Sequence, residues 1–370
     1  MQPIRVGVIG CGAISDQYFR FASQYPILKV AACADLDAQR ALSQAAKYGV
    51  PCVCTSVDEL LADESVELVV NLTTPDAHAP IALRAIEAGK HVYNEKPLAI
   101  TPAEGRALLE AARARGVHVG CAPDTFLGTA HQTCRRLIDQ GVIGQPIAAT
   151  AFMLSRGPEH WHPNPVFYYQ PGGGPMFDMG PYYLTALINL LGPITTITGL
   201  ADILIPQRII TSKPKYGQEI RVQTPDHITG SMRFACGACA TIITSFAVHH
   251  PTYERSHPIT LYGTEGTMMV PDPNGFDGEV RIRLAGESEW RVVEPCHRHP
   301  NGRSLGVAEM AHALRTRREP RASGRLALAV LHAMQAFLDA STTHQAQTLP
   351  ADYDRPPALP HDDGFLTSGS

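Results

Sequence analysis

The sequence predicts two domains: a doubly wound α/β domain with a parallel sheet, then an α+β domain built on a mostly antiparallel sheet. Three observations predict this. Six short apolar runs alternate with helix-like segments through the first 122 residues. A glycine-rich turn, Gly10-Cys11-Gly12, stands between the first run and the first helix. After about residue 123 the pattern changes to strand-like runs joined by longer connections rich in Pro and Gly. A chain of 370 residues also exceeds one ordinary core, since domains run to roughly 100–200 residues.

Taken in order, residues 5–9 form an apolar run of strand length, and the helix-like segment after the turn ends near Tyr25. Residues 29–34 read as a second strand and 38–48 as a helix, with Gly49 placed to cap its C-terminus. Residues 50–54 are a third strand, and Ser56-Val57-Asp58-Glu59 is a capping box that opens a short helix. A fourth strand over 67–72 leads into a helix over 76–88 stopped by Gly89. Residues 91–94 are a fifth strand. Thr101-Pro102-Ala103-Glu104 then combines an N-cap, a first-turn proline and a capping-box glutamate. That helix ends at Gly116, and 117–122 are a sixth strand. Short buried strands separated by helices make a parallel sheet covered on both faces, and right-handed crossovers make it doubly wound. Ligands of such sheets bind beyond the carboxyl ends of the strands, where strand order reverses.

Residues 129–140 read as a helix ending at Gly141. Strand-like runs follow at 148–154, 196–204, 229–234, 240–247, 259–262, 266–270, 280–284 and 290–293, with Thr264-Glu265-Gly266 suited to a hairpin. Helices are expected near 305–318 and 323–341. The domain boundaries are therefore set at 1–122 and 123–348, with 349–370 a Pro- and Asp-rich, loosely held tail.

Composition excludes several classes. Apolar residues make up 44% and charged residues 18%, which is globular. The formal net charge is -4 and no basic run exists, so no nucleic-acid partner is expected. No stretch of about 18 apolar residues and no signal-peptide pattern occurs, so no membrane partner and a cytoplasmic location are expected. The nine cysteines are an odd number. Cys11, Cys33, Cys52, Cys54 and Cys121 lie in apolar runs and read as buried reduced thiols. Cys236-Gly237-Ala238-Cys239 has redox or zinc spacing but lies inside a strand-like run, which favours two core or edge cysteines.

The turn Gly10-Cys11-Gly12-Ala13-Ile14-Ser15 carries the first chemistry. Its glycines permit a tight turn and close approach of a pyrophosphate, and the following helix offers N–H groups and partial positive charge to the phosphates. This is the dinucleotide-binding Rossmann fingerprint, with Ser15 where Gly or Ala is usual. Gly10, Gly12, Ala13 and Ile14 are the expected cofactor contacts. Asp35 ends the second strand, 20 residues beyond Ser15, where an acid accepts hydrogen bonds from the adenosine ribose. The alternative is a surface acid or a cap. A carboxylate there repels a 2′-phosphate and Leu36 offers no cation, which favours NAD over NADP, although Arg40 is near. Thr73, Thr74, Pro75 and His78 follow the fourth strand and edge the same crevice. Cofactor contact is expected of them, with turn formation and capping the alternative for the threonines.

Glu95-Lys96-Pro97 follows the fifth strand at its carboxyl end. Glu95 and Lys96 are expected beside the nicotinamide. The Lys96 ammonium there can hold a substrate hydroxyl, stabilise a developing alkoxide or relay a proton. Together with Leu137-Ile138-Asp139-Gln140-Gly141-Val142-Ile143-Gly144-Gln145-Pro146 and Gly172-Gly173-Gly174-Pro175-Met176-Phe177-Asp178-Met179-Gly180, these motifs resemble the glucose–fructose oxidoreductase / inositol dehydrogenase / rhizopine-catabolism (Gfo/Idh/MocA) family over most of the chain. The resemblance implies a Rossmann domain followed by a domain with a large open sheet whose face carries the substrate. It implies that Lys96 is a catalytic-site lysine and that a cis Lys96–Pro97 bond is to be looked for. It further implies a sugar or cyclitol substrate, with C3 of a pyranoside favoured, and a homodimer or homotetramer. The family's second motif usually reads Asp-x-Gly-x-His, often with Asp three residues on. Asp178 and Gly180 match, but Tyr182 holds the His position and Thr185 the last Asp position, so the usual base is in question.

Asp178 and Tyr182 are four apart and share a helix face, so both are candidates to meet substrate; the alternatives are an N-cap and a core ring. Pro181 fits if the helix begins near Asp178. Glu159-His160-Trp161-His162-Pro163 suits a carbohydrate site, with the indole on sugar C–H faces and the histidines on hydroxyls. His160 or His162 is also a candidate for the missing motif base. Two histidines are too few for a metal site, and none is assigned. The resulting expectation is an NAD(P)-dependent oxidoreductase acting on a secondary hydroxyl of a sugar, glycoside or cyclitol. Its rivals are a glycosidase using transient oxidation by bound NAD, and a non-catalytic dinucleotide-binding sensor.

Overall fold

The computed structural model describes residues 1–360 and 364–367. The chain forms two compact units that interleave in sequence. The first comprises Met1–Gln132, Pro295–Leu331 and the stretch from Pro356; the second comprises Thr133–Glu294 and His332–Arg355. The sequence had set 1–122, 123–348 and 349–370 in series.

The first unit begins with β1 (Ile4–Ile9), α1 (Ser15–Ala22), β2 (Leu28–Ala34), α2 (Ala38–Tyr48), β3 (Cys52–Val53), α3 (Val57–Ala62), β4 (Leu68–Asn71), α4 (Pro75–Glu87), β5 (His91–Asn94), α5 (Pro102–Arg115) and β6 (Val119–Cys121). The sheet order is β3-β2-β1-β4-β5-β6, and every pairing is parallel. Order reverses between β1 and β4, which places the ligand crevice beyond their carboxyl ends. Thr101 and Glu104 close the expected full capping box, and Gly49 and Gly116 are left-handed C-caps. At Ser56 only half of the expected box forms: Ser56 accepts the Glu59 N–H, but the Glu59 carboxylate accepts the Thr55 N–H and hydroxyl instead of the Ser56 N–H. The third strand is shorter than expected because it is the sheet edge and pairs only at Ala32–Cys52 and Cys33–Val53. That edge position also leaves Cys52 exposed, against expectation, whereas Cys11, Cys33, Cys54 and Cys121 are buried.

The remaining elements are α6 (Thr129–Asp139), β7 (Pro146–Leu154), α7 (Gly174–Leu191), β8 (Ile194–Asp202), β9 (Gln207–Ile209), β10 (Glu219–Arg221), β11 (His227–Phe234), β12 (Cys239–Ser245), β13 (Ile259–Gly263), β14 (Gly266–Val270), β15 (Val280–Leu284), β16 (Arg291–Val293), α8 (Leu305–Arg315), α9 (Gly324–Thr343), β17 (Gln347–Thr348) and α10 (Gly364–Thr367). The second unit is built on a nine-stranded sheet of order β16-β15-β14-β13-β7-β12-β11-β8-β17. Only the β7–β12 pair is parallel. Helix α7 packs on β7, β11 and β12 and is buried along most of its length. The two-stranded ribbon β9–β10 lies against a small separate core of Tyr169, Ile210, Ile220, Val222 and Phe246.

Cys236 and Cys239 are exposed at the β11–β12 hairpin, so neither is a core residue. The tail is less loose than expected. The Arg321 guanidinium donates to the Pro357 and Ala358 carbonyls at 2.9 and 3.1 Å, and Leu359 and Leu366 are buried. Residues 361–363 and 368–370 of that tail lie outside the described residues. No helix among the described residues is long and apolar enough to cross a membrane.

Candidate active site

Residues at the strand ends of the first unit build a cradle. Gly10 has φ +96°, and a Cβ there would lie 2.7 Å from the Leu72 carbonyl carbon and oxygen. Only glycine lets the turn pack so closely on the connection after β4. Gly12 is under the opposite constraint: an added Cβ would meet nothing within 4 Å. The Cys11 N–H donates to Asp35 Oδ2 at 2.6 Å and the Asp37 N–H to Asp35 Oδ1 at 2.8 Å, so the acid at the end of β2 is tied to the turn. Ala13 and Ile14 stand at the head of α1, which has no side-chain cap; the Ser15 N–H donates to the Gly12 carbonyl and the Gln17 N–H to the Ile14 carbonyl, both at 3.1 Å. Ser15 is buried. Its hydroxyl donates to the Gly12 carbonyl at 2.7 Å and accepts Gln44 Nε2 at 3.3 Å, which closes the turn where the fingerprint usually has Gly or Ala. Arg40 Nε lies 3.3 Å from Asp37 Oδ2. Open space over Gly12, an uncapped helix start and a carboxylate at the end of β2 together fit a dinucleotide.

The ends of β4 and β5 are joined by buried amides, which the sequence reading missed. Asn71 Nδ2 donates to Asn94 Oδ1 and to the His78 carbonyl, both at 3.0 Å, and Asn71 Oδ1 accepts the Thr73 hydroxyl at 2.7 Å. Their one sequence signal is a polar residue ending each apolar strand. Thr74 is the N-cap of α4 without a side-chain hydrogen bond, and Pro75 occupies its first turn. His78 is buried, with Nδ1 2.7 Å from the Pro97 carbonyl and Nε2 3.0 Å from the Thr73 carbonyl. Both ring nitrogens therefore face backbone, and the ring clamps the Thr73 turn to the Lys96–Pro97 turn rather than facing a cofactor. Burial pushes its pKa down. Glu95 is buried too, accepting the Tyr18 hydroxyl at 2.9 Å and the Lys96 N–H at 2.8 Å. The Lys96–Pro97 bond is cis, as the resemblance implied. Lys96 thus follows β5 on a turn held from both sides.

The second unit carries the other candidates. Helix α7 starts at Gly174, not near Asp178. A Cβ on Gly173 would lie 2.7 Å from the Phe167 and Tyr168 carbonyl oxygens, and one on Gly174 2.7 Å from the Pro225 oxygen. The glycine run lets the chain enter the helix against those backbones, and Pro175 supplies the first turn. Asp178 consequently sits in the second turn and is no N-cap, and Pro181 falls inside the helix. Asp178 and Tyr182 still share a face; Asp178 is half-buried and Tyr182 is only 6% exposed.

The Trp161 loop lies near Asp178 in the same unit. Burial lowers the pKa of His162, while the Asp178 charge pulls it back up. His162 is ringed by aromatics: its centroid is 5.3 Å from Trp161, 5.4 Å from Phe167 and 5.2 Å from Tyr168, all edge-on. Its Nδ1 accepts the Asn164 N–H at 3.0 Å. The neutral ring therefore carries its proton on Nε2 and offers a donor. Trp161 is 60% exposed, as a face for a ligand must be. The pKa of His160 is lowered by burial and by Arg156, and its Nδ1 is buried without a protein partner. No group of three or more potential metal ligands occurs among the described residues.

Family models match both parts of the chain: the oxidoreductase family with NAD-binding Rossmann fold at residues 4–122, and the GFO/IDH/MocA C-terminal domain at 131–269. A 1,5-anhydro-D-fructose reductase of Ensifer adhaerens is 28% identical, covering 92% of this chain and 97% of its own length. A D-glucoside 3-dehydrogenase of Escherichia coli strain K12 is 31% identical over 265 residues, 67% of this chain and 71% of its own length. In fold, a levoglucosan dehydrogenase in complex with NADH and levoglucosan superposes with a TM-score of 0.80 at 22% identity, over 94% of this chain and 100% of that one. The fingerprint turn, the Lys96 turn and these matches agree: the chain belongs to the GFO/IDH/MocA family of NAD-binding oxidoreductases.

Proposed function

We propose that this protein transfers a hydride between NAD and a secondary hydroxyl of a sugar, glycoside or cyclitol, with C3 of a pyranoside the favoured position. The observation that carries the reading is Lys96. It follows β5, the second neighbour of β1 across the switch point, and its turn is anchored through Glu95 and His78. When bound, nicotinamide supplies the hydride acceptor or donor. Gly10, Gly12, Ala13, Ile14 and Asp35 would hold the dinucleotide, with Thr73, Thr74, Pro75 and Glu95 along the rest of the crevice. The Lys96 ammonium holds the reacting hydroxyl and stabilises its developing alkoxide.

The second unit takes the carbohydrate and the contacts of a homodimer or homotetramer. Trp161 gives its face to sugar C–H groups, and His160 and His162 bond hydroxyls. With Nδ1 engaged by Asn164, His162 acts as a donor, which leaves the Asp178 carboxylate to take the hydroxyl proton, directly or through the Tyr182 hydroxyl, which passes on its own proton as it receives one. The buried cysteines Cys11, Cys33, Cys54 and Cys121, none of them in a disulfide, support a cytoplasmic location.

A panel of glycosides, inositols and aldoses with NAD⁺, followed by reduced-nicotinamide absorbance, tests the reading. A secondary-alcohol sugar is expected to give steady NADH formation. Lys96→Ala is expected to remove most of that turnover while NAD⁺ affinity stays within a few-fold. Near-normal kcat in that variant would make Lys96 a structural charge.

A further inference from the structure

We propose that Arg208 is a positioning residue for substrate binding: clamped between Glu159 and Asp226, it fixes the loop that carries His160, Trp161 and His162. The inference rests on the reading that this loop takes the sugar. Arg208 lies on β9, 46 to 48 positions from the loop histidines, and no motif marks it. Its side chain is 3% exposed. Nη1 lies 2.9 Å from Glu159 Oε1 and donates to the Arg156 carbonyl at 3.0 Å; Nη2 lies 2.7 Å from Asp226 Oδ2. The guanidinium also sits over the Tyr169 ring, 5.0 Å from its centroid. Tyr169 in turn donates its hydroxyl to Glu159. One cation thus grips both ends of the loop, at residues 156–159 and at Tyr169.

The far side of the clamp is equally fixed. Asp226 accepts the Leu204 and Ile205 N–H groups at 2.7 and 3.2 Å. The Thr211 and Ser212 N–H groups donate to the Glu159 carbonyl at 2.9 and 3.1 Å, and the Ser212 hydroxyl donates to the His162 carbonyl at 2.6 Å. Gly157 completes the arrangement. It has φ +101°, and a Cβ there would strike the Tyr169 hydroxyl and Glu159 carboxylate and lie 3.0 Å from Arg208 Nη1. Any side chain at 157 would occupy the clamp itself.

Two features argue for positioning over bulk stability. A buried ion pair adds little net stability relative to apolar packing, whereas its directional bonds admit one geometry. And the loop so fixed leaves an indole facing outward, an arrangement that a search for stability alone would bury.

The test uses Arg208→Met and Arg208→Lys in the full chain carrying Trp290→Phe, so that Trp161 is the sole indole. Lysine keeps the charge but cannot bridge two carboxylates as a fork does, so it decides the matter if the methionine variant does not fold. In folded variants, acrylamide quenching of Trp161 is expected to change and KM for the sugar to rise about tenfold or more. NAD⁺ affinity should stay within about twofold, and kcat should fall less than KM rises. Unchanged quenching and unchanged KM in a folded variant overturn the proposal. Trp161→Ala separates the two layers. If it leaves KM unchanged, the loop is no sugar site and the underlying reading fails. If it raises KM while the Arg208 variants do not, the positioning role alone fails.

Discussion

Gly10 and Gly12 are two residues apart and look interchangeable in the sequence, yet the structure gives them opposite constraints. At Gly10 a methyl group would strike the Leu72 backbone and the φ of +96° disfavours any L side chain. Gly10→Ala is therefore expected to lower the melting temperature clearly, with a backbone cost of about 1–3 kcal/mol. Gly12→Ala meets no protein atom, so it should fold normally and weaken NAD⁺ by filling the space over the turn. Thermal melts beside NAD⁺ titrations separate the two, and an unchanged NAD⁺ affinity in Gly12→Ala would remove the pyrophosphate from that spot. Asp35 carries a second residue-scale prediction. Its carboxylate is held by the Cys11 and Asp37 amides, and Arg40 has an acidic neighbour in Asp37. NAD⁺ should bind better than NADP⁺, and Asp35→Ala should weaken NAD⁺ and narrow the gap. A wild-type preference for NADP⁺ would overturn the assignment. These positions were legible because a turn, its glycines and the acid ending the next strand are local features. His78 was legible only as a neighbour of the crevice, because its partners Pro97 and Thr73 meet it through the tertiary fold.

Helix α7 shows where element boundaries escape sequence reasoning. In the sequence Asp178 has an N-cap as its alternative role, and Pro181 fits a helix only if that helix begins near Asp178. The glycines at 173 and 174 override that start, since close approach to the 167–168 and 225 backbones admits a helix four residues earlier. The face shared by Asp178 and Tyr182 survives the shift, because spacing along a helix does not depend on where it begins. The proton path is thus still a choice between neighbours on known elements. If the Tyr182 hydroxyl relays the proton to Asp178, Tyr182→Phe should lower kcat by about 10²–10⁴-fold and alter the pH–rate profile. His162→Gln, measured on the same sugar, should act mainly on KM, because the Asn164 amide occupies Nδ1 and leaves Nε2 a donor. A large kcat loss in His162→Gln with Tyr182→Phe near normal would move the base into the loop. The ribbon β9–β10 is the opposite case. Its three-residue strands give too short an alternation to read, and so Arg208 was invisible.

At the scale of the whole chain, alternation of strands and helices reveals a doubly wound sheet, but not that residues 295–331 return to it. That return is made by contacts without a sequence period. Arg315 of α8 bonds both oxygens of Glu67, at 2.8 and 2.9 Å, and the Gln2 and Pro3 carbonyls at 3.0 and 3.1 Å. His91, at the start of β5, stands in the field of this clasp. Its amide donates to the Glu67 carbonyl, and its Nδ1 accepts the His118 N–H at 3.0 Å. Burial, then the His118 ring beside it, pushes the His91 pKa from 6.5 to about 4, and the Arg315 charge works in the same direction against Glu67. The unfolded chain therefore takes up this proton before the folded one does. The stability associated with a neutral His91 is present above about pH 6.5, is lost as pH falls toward 4, and changes no further below that. Discounted for the ring's partial exposure, the loss is on the order of 1–2 kcal/mol. Replacing His91 with Asn keeps an acceptor for the His118 amide but removes the titrating ring. Melting temperatures of both proteins, taken from pH 7.5 to 4.5, should show the wild type falling more steeply, so that the Asn variant gains on it as acid is added. Parallel curves across that range would mean that protonation of His91 is not what loosens the clasp.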